Sequence, residues 1–214
     1  MKISELKYAS LLSYSPHGNT SAALESKALT YSLKQDRYEG QPPILMSDWV
    51  EKKTQEKCKH FGTFFQSNTI LVPVPSSSLM EKDTLWVPER IANALLKKGF
   101  GKQVVPCLRR ETAVRKAATS PSQDRPSVKD HYDSFSVQRS LSEPENILLI
   151  DDVITRGATL VGCANRLISA FPNCRIQAFA AIRTESNPRK FKNLQDPLVG
   201  TIYLNDKGGT IRYP

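Results

Sequence analysis

Two adjacent carboxylates, Asp151 and Asp152, stand at the end of the apolar run Ile147-Leu-Leu-Ile150 and lead into Thr155-Arg-Gly-Ala-Thr159. A near-continuous apolar run of this length reads as a strand buried on both faces. The small residues Thr155, Gly157, Ala158 and Thr159, with Arg156 among them, then offer free backbone N–H groups where a helix begins, which is an anion site. Gly157 permits close backbone approach to the anion, and the threonine hydroxyls add donors. Ionised Asp151 and Asp152 accept hydrogen bonds only, so they suit a vicinal diol, and they would stabilise positive charge developing on an adjacent sugar carbon. The chemistry is that of a site for a sugar phosphate.

The helix that must carry this loop is supported by Leu160, Ala164, Leu167 and Ile168, whose spacing builds one apolar face. Strand, acidic pair, cradle and helix together have the length of a βα unit. Other phosphate-binding patterns lack support, since neither GxGxxG nor GxxxxGK[ST] occurs.

Upstream, Thr69-Ile-Leu-Val-Pro-Val-Pro75 reads as a strand running into Ser76-Ser-Ser78, with its prolines disfavouring a central ladder position. A helix follows, with Pro88 in its first turn, Ile91, Ala94 and Leu95 on one face and Gly99 at its end. Gln103 to Leu108 is expected to form the next strand, and Arg175 to Ile182 a later one, with Arg183 and Thr184 emerging on the same carboxyl edge as Asp151. Strand-helix-strand order predicts a parallel sheet with right-handed crossovers.

Residues 109–140 are too long for an ordinary connection and hold seven Lys/Arg against four Asp/Glu, as a cationic loop closing over a polyanion would. Residues 1–65 read as mainly helical. Asn19 or Thr20 can cap a helix with Leu24, Ala28 and Tyr31 on one face, and Asp48-x-x-Glu51 resembles a capping box for a second helix through about His60. The Tyr14 to Asn19 segment is turn-rich, with His17 in it. Val199 to Leu204 and Thr210 to Tyr213 read as a terminal hairpin.

In composition the chain is a 214-residue protein of net charge +9, sized for one α/β domain with an appendage. The charge fits a polyanionic ligand and equally a nucleic acid. Cys58, Cys107, Cys163 and Cys174 form no C-x-x-C pair, which argues against a zinc ribbon or redox dithiol. They read as reduced thiols, Cys107 and Cys163 in the core. Without an apolar run of membrane-spanning length or a leader pattern at the N-terminus, a cytoplasmic protein is the expectation.

The acidic motif resembles the PRPP-binding motif of type I phosphoribosyltransferases (PRPP being phosphoribosyl pyrophosphate). Within that family the chain looks most like the competence-associated, ComF-type members, from about Thr69 to Thr184. Pro73-Val-Pro75 is similar to the end of the family's first core strand. Leu108-Arg-Arg110 with Arg115-Lys116 and Arg125 resembles its basic flexible loop, and His131 to Val137 the exit from that loop. The cysteine-rich zinc segment with which ComF-type proteins often begin has no counterpart here, and Ser76 to Pro88 replaces their Arg-Gly-Phe-Asn segment.

The resemblance implies an α/β type I phosphoribosyltransferase fold, with a mostly parallel twisted sheet flanked by helices. Residues 1–65 would be a helical N-terminal extension or hood, 66–186 the core with 109–140 as flexible basic loop, and 187–214 a C-terminal β-hairpin tail. It implies an Mg²⁺-dependent enzyme in which a nitrogen acceptor displaces pyrophosphate from PRPP. Asp151 and Asp152 would be catalytic, and Thr155, Arg156, Gly157, Ala158 and Thr159 would bind the 5-phosphate. Pro75, Ser76 and Ser77 would form the pyrophosphate loop and Arg110, Lys116 and Arg125 the lid, with Mg²⁺ carried mainly by PRPP rather than by a protein metal site. The ligand would be PRPP or a nucleoside 5-monophosphate, the acceptor is open, and a homodimer is compatible. The alternative is a non-catalytic PRPP- or nucleotide-sensing regulator, with or without nucleic-acid binding.

Overall fold

The computed structural model describes residues 1–81, 83–115, 125–138 and 143–214. In chain order the elements are β1 (Glu5–Tyr14), α1 (Ser21–Lys34), β2 (Tyr38–Glu39), β3 (Ile44–Leu45), α2 (Met46–Glu56), β4 (Ile70–Pro73), α3 (Val87–Lys97), β5 (Gln103–Val104) and β6 (Leu108–Arg110). They continue with α4 (Val128–Asp133), β7 (Phe135–Val137), β8 (Asn146–Ile154), α5 (Ala158–Ala170), β9 (Arg175–Thr184), β10 (Leu198–Leu204) and β11 (Thr210–Tyr213).

One mixed seven-stranded sheet runs β11-β10-β1-β9-β8-β4-β5. The five strands from β1 to β5 in that order are mutually parallel, and the predicted terminal hairpin, β10 and β11, adds antiparallel to the β1 edge. Side chains alternate between two apolar layers: Ile147 and Leu149 of β8 pack with Leu160, Val161, Ala164 and Leu167 of α5. Leu148 and Ile150 pack with Ile91 and Leu95 of α3, Val50 of α2 and Leu33 of α1. Burial on both faces is what the unbroken apolar run at 147–150 demands.

From β4 the chain winds outward to β5, then returns to the other side of β4 for β8 and β9. The winding therefore reverses between β4 and β8, and in open α/β sheets ligands bind at the carboxyl ends of the strands at such a point.

Several expectations need correction. The N-terminal region is not simply helical, because Leu6, Tyr8, Ala9, Leu11 and Leu12 are core residues of β1, a strand inserted between β9 and β10. Its run is buried on both faces, so it lacks the alternation that would mark it. Thr20 does cap α1, its side chain accepting from the Ala23 N–H at 3.2 Å. Yet Leu24 and Tyr31 are each 54% exposed, and the inner face carries Ala23, Ser26, Thr30 and Leu33. Ser26 and Thr30 can face inward because each hydroxyl donates to a carbonyl of its own helix, both at 2.7 Å.

Asp48 lies inside α2 and caps nothing; the buried carboxylate of Asp36 accepts the Ser47 N–H at 2.7 Å and pairs with Arg90 of α3 at 2.9 Å. The α2 helix stops at Glu56, followed by separate 3-10 turns at Cys58–His60 and Gly62–Phe64.

β4 is an interior strand despite its prolines. They are tolerated because β5 pairs only with Ile70 and Leu71, leaving the edge beside Pro73 and Pro75 without a ladder to satisfy. The strand expected from Gln103 to Leu108 is broken at Pro106 into β5 and β6, and β6 pairs antiparallel with β7 in a separate small sheet. Residues 109–140 are thus in part ordered secondary structure; residues 116–124 and 139–142 lie outside the described residues.

Candidate functional site

The strand carrying the acidic pair does not end at Ile150. β8 continues through Asp151 and Asp152 to Ile154, paired with β9 as far as Arg183. Each carboxylate accepts the backbone N–H of the following residue, Asp152 N–H to Asp151 at 2.9 Å and Val153 N–H to Asp152 at 2.8 Å. Burial and the neighbouring Asp152 push the Asp151 carboxyl well above the usual aspartate range, only partly offset by backbone hydrogen bonding and Lys34. A cation or a sugar hydroxyl reaching this half-buried carboxyl would favour its ionised form.

The loop after β8 turns into α5 through Gly157, which is the helix N-cap and has φ +94°. No side-chain cap serves this N-terminus, so the amides of Ala158 and Thr159 lack an acceptor from a capping residue. A Cβ at Gly157 would lie 2.7 Å from Ile202 Cδ1, so the terminal hairpin packs directly on the loop. Thr155 and Thr159 are half-buried and Arg156 is exposed.

Across the switch point, Pro73 lies opposite Ile150 and the Val74 N–H donates to the Ile150 carbonyl at 2.9 Å. Buried Pro75, exposed Ser76 and half-buried Ser77 therefore leave the sheet alongside Asp151 and Asp152. This second loop is held from behind: the Ser77 carbonyl accepts the Val114 N–H at 2.9 Å, and the Ser76 carbonyl accepts the Arg110 guanidinium. Trp86 Nε1 donates to the Val74 carbonyl at 2.8 Å.

Arg110 is not a lid residue. It ends β6, is 4% exposed, lies 4.1 Å from the centroid of the Phe135 ring, and donates to Ser134 Oγ at 2.6 Å. Burial lowers its pKa, while the charge of Asp151 and the Cys163 thiol opposes that shift. Arg125 lies where the chain re-enters the described residues, beside the cleft described below, and Lys116 lies outside them.

Two groups at the site had no readable signal in the sequence. His131 of α4 places Nε2 3.3 Å from Thr159 Oγ1, and its buried Nδ1 has no partner among the described residues. Burial, aided by Arg110 and opposed by Asp130, lowers its pKa to about 4, so the ring is neutral at pH 7. Arg212 of β11 reaches the carbonyls of Ile154, at 3.3 Å, and Thr184, tying the ends of β8 and β9 together. Arg183 is buried and paired with Asp196.

Beyond β8, the carboxyl ends of β9 and β1 open into a cleft of about 1500 Å³ between α1 and the 185–196 segment, which the loop after β8 joins through Thr155 and Arg156. Nine Lys or Arg side chains border it against two acids, Glu185 and Asp196. Exposed His17 is on its rim.

Among the described residues no three His, Cys, Asp or Glu side chains gather as a metal site. Asp151 and Asp152 fit Mg²⁺ of another kind, one that keeps several waters and takes one or two carboxylates plus substrate phosphates. Cys107, Cys163 and Cys174 are buried, and burial raises their thiol pKa values, that of Cys107 to about 11, so they are inert. No helix among the described residues is long and apolar enough to cross a membrane. No protein-family model matches the chain, and a search of curated proteins finds no match.

Proposed function

We propose that the protein is a phosphoribosyltransferase of the type I kind, binding PRPP with Mg²⁺ and displacing its pyrophosphate with a nitrogen acceptor. The observation that carries this reading is the acidic pair on β8 running directly into a glycine-capped anion loop at the start of α5, beside the sheet's switch point. The ribose 5-phosphate would sit on the amides of Thr155 to Thr159, with the Thr159 hydroxyl oriented by His131. Asp151 and Asp152 would hold the ribose hydroxyls and stabilise positive charge growing at C1 as the bond to pyrophosphate lengthens. Mg²⁺ would neutralise the leaving pyrophosphate. Ser76 and Ser77, fixed through their carbonyls, would present the loop's other groups to it. The ComF-type likeness belongs to the same reading and rests on the sequence motifs.

The test is pyrophosphate release from PRPP and Mg²⁺ across purine, pyrimidine and amine acceptors, with Asp151→Asn plus Asp152→Asn as control. Release that needs one acceptor and both aspartates is expected. Failure to bind PRPP or any nucleoside 5-monophosphate would end the reading.

A regulator that senses PRPP or a nucleotide and binds nucleic acid is the second reading, favoured by the net charge of +9 and the cationic cleft. It expects binding of PRPP without turnover, and DNA or RNA binding that changes when PRPP is added. A basic surface alone gives salt-sensitive binding that PRPP leaves untouched.

A further inference from the structure

The cleft over β9 and β1 is more than the first ligand requires. Its volume of about 1500 Å³ exceeds the ~300–1000 Å³ of ordinary small-molecule pockets. It also lies on the wrong side for the pyrophosphate of PRPP. The loop at Ser76 and Ser77 leaves β4, one strand to one side of β8, whereas the cleft extends over β9 and β1 on the other. With neighbouring strands ~4.8 Å apart, the two regions are separated by about three strand spacings at their far ends.

Lys27 and Lys34 stand on the α1 wall, Arg156 on the anion loop, and Arg189, Lys190 and Lys192 on the opposite wall. None of these six has a carboxylate within ion-pair distance among the described residues, although Lys34 is near enough for its charge to act on Asp151. Uncompensated like charges facing one another across a cleft repel, and a bound polyanion removes that repulsion. The floor supplies a second sign of a ligand. Thr184 and Thr210 border the cleft, are 9% and 7% exposed, and each has a buried Oγ1 with no hydrogen-bond partner among the described residues. A buried hydroxyl left without a partner is costly, and a phosphate oxygen that reached it on ligand binding would be an acceptor it can satisfy.

We infer that this cleft binds a second ligand carrying an oligophosphate group, beside the ribose 5-phosphate loop and at the same time as it is filled. The ligand is either the acceptor of the transfer or an effector of it. The inference rests on the proposed reading only for what occupies the neighbouring loop.

Calorimetric titration of the full chain with tripolyphosphate, at saturating ribose 5-phosphate, tests it. One equivalent is expected to bind, and Lys190→Ala plus Lys192→Ala to weaken it about tenfold, the loss of roughly one charge-assisted contact, while ribose 5-phosphate affinity changes less than about twofold. Titration with ATP separates the sources of the phosphate chain: tighter binding than tripolyphosphate assigns a nucleotide, equal binding assigns the phosphate chain alone, and both support the site. Displacement of ribose 5-phosphate mole for mole by tripolyphosphate would overturn it, as would an unchanged affinity in the double variant. Binding of a single-stranded oligonucleotide with none of tripolyphosphate or ATP would overturn it too. If tripolyphosphate binds as expected and ribose 5-phosphate does not bind at all, the phosphoribosyl reading fails and the oligophosphate site stands.

Discussion

Ile202 of β10 occupies the space that any side chain on Gly157 would need, its Cδ1 lying 2.7 Å from the position of a Cβ there. The β10–β11 hairpin thus sets the shape of the loop between β8 and α5, and Gly157, at φ +94°, answers both a conformational and a steric demand.

Gly157→Ala is therefore expected to lower stability by about 1–3 kcal/mol through positive-φ strain and the contact with Ile202. Ribose 5-phosphate binding should weaken with it, since the loop must shift. Urea denaturation and a binding titration check both; unchanged values in each would remove the role assigned to this glycine.

Asp151→Asn separates ligand binding from stability. The raised pKa of Asp151 means that the folded chain holds this proton more tightly than the unfolded chain, so its contribution to stability falls as pH rises from the ordinary aspartate range through the raised value. The variant should lose that fall and be more stable than the parent at neutral pH without ligand, while ribose 5-phosphate affinity drops by about tenfold or more. Denaturation midpoints measured from acid to neutral pH, with and without ligand, give the answer.

His131 acts with the opposite sign. Its pKa is lowered to about 4 in the folded protein, so the unfolded chain binds the proton more tightly. Its contribution is present above pH ~6.5, the unfolded value, and is lost as pH falls towards 4, up to about 3 kcal/mol in all. His131→Gln should flatten the stability profile between those limits. A parent-like profile in the variant would assign the acid sensitivity elsewhere.

Arg110→Met should cost about 2–3 kcal/mol, since the guanidinium holds the Ser76 carbonyl and Ser134 Oγ with charge-assisted hydrogen bonds. With the loop freed, pyrophosphate should bind more weakly and ribose 5-phosphate much less affected. Parallel titrations with the two ligands distinguish this from general loosening, which would weaken both alike. Loss of the nearby positive charge should also raise the Asp151 pKa further.

The unit β8–loop–α5 was legible because its signals are local. An apolar run, two carboxylates, a glycine that must adopt positive φ and a periodic apolar helix all lie between Ile147 and Ile168. The α3 helix was legible for the same reason, with Pro88 and Gly99 at its ends. On α1 the cap was readable and the face was not, because hydroxyls that bond to their own helix can be buried in place of apolar side chains.

By itself, then, the sequence determined an acid pair, the glycine-capped loop that follows it and the α/β layering that carries them. Tertiary structure decided what surrounds them. Arg212 meets Ile154 across 58 positions, and Ile3 donates to Asn165 across 162. Arg110 turns inward to hold the loop at Ser76 instead of covering the site, and β1 supplies part of the floor of the cationic cleft. Such contacts follow from strand order and sheet closure, which bring together residues that share no periodicity or motif, so no window along the chain contains them.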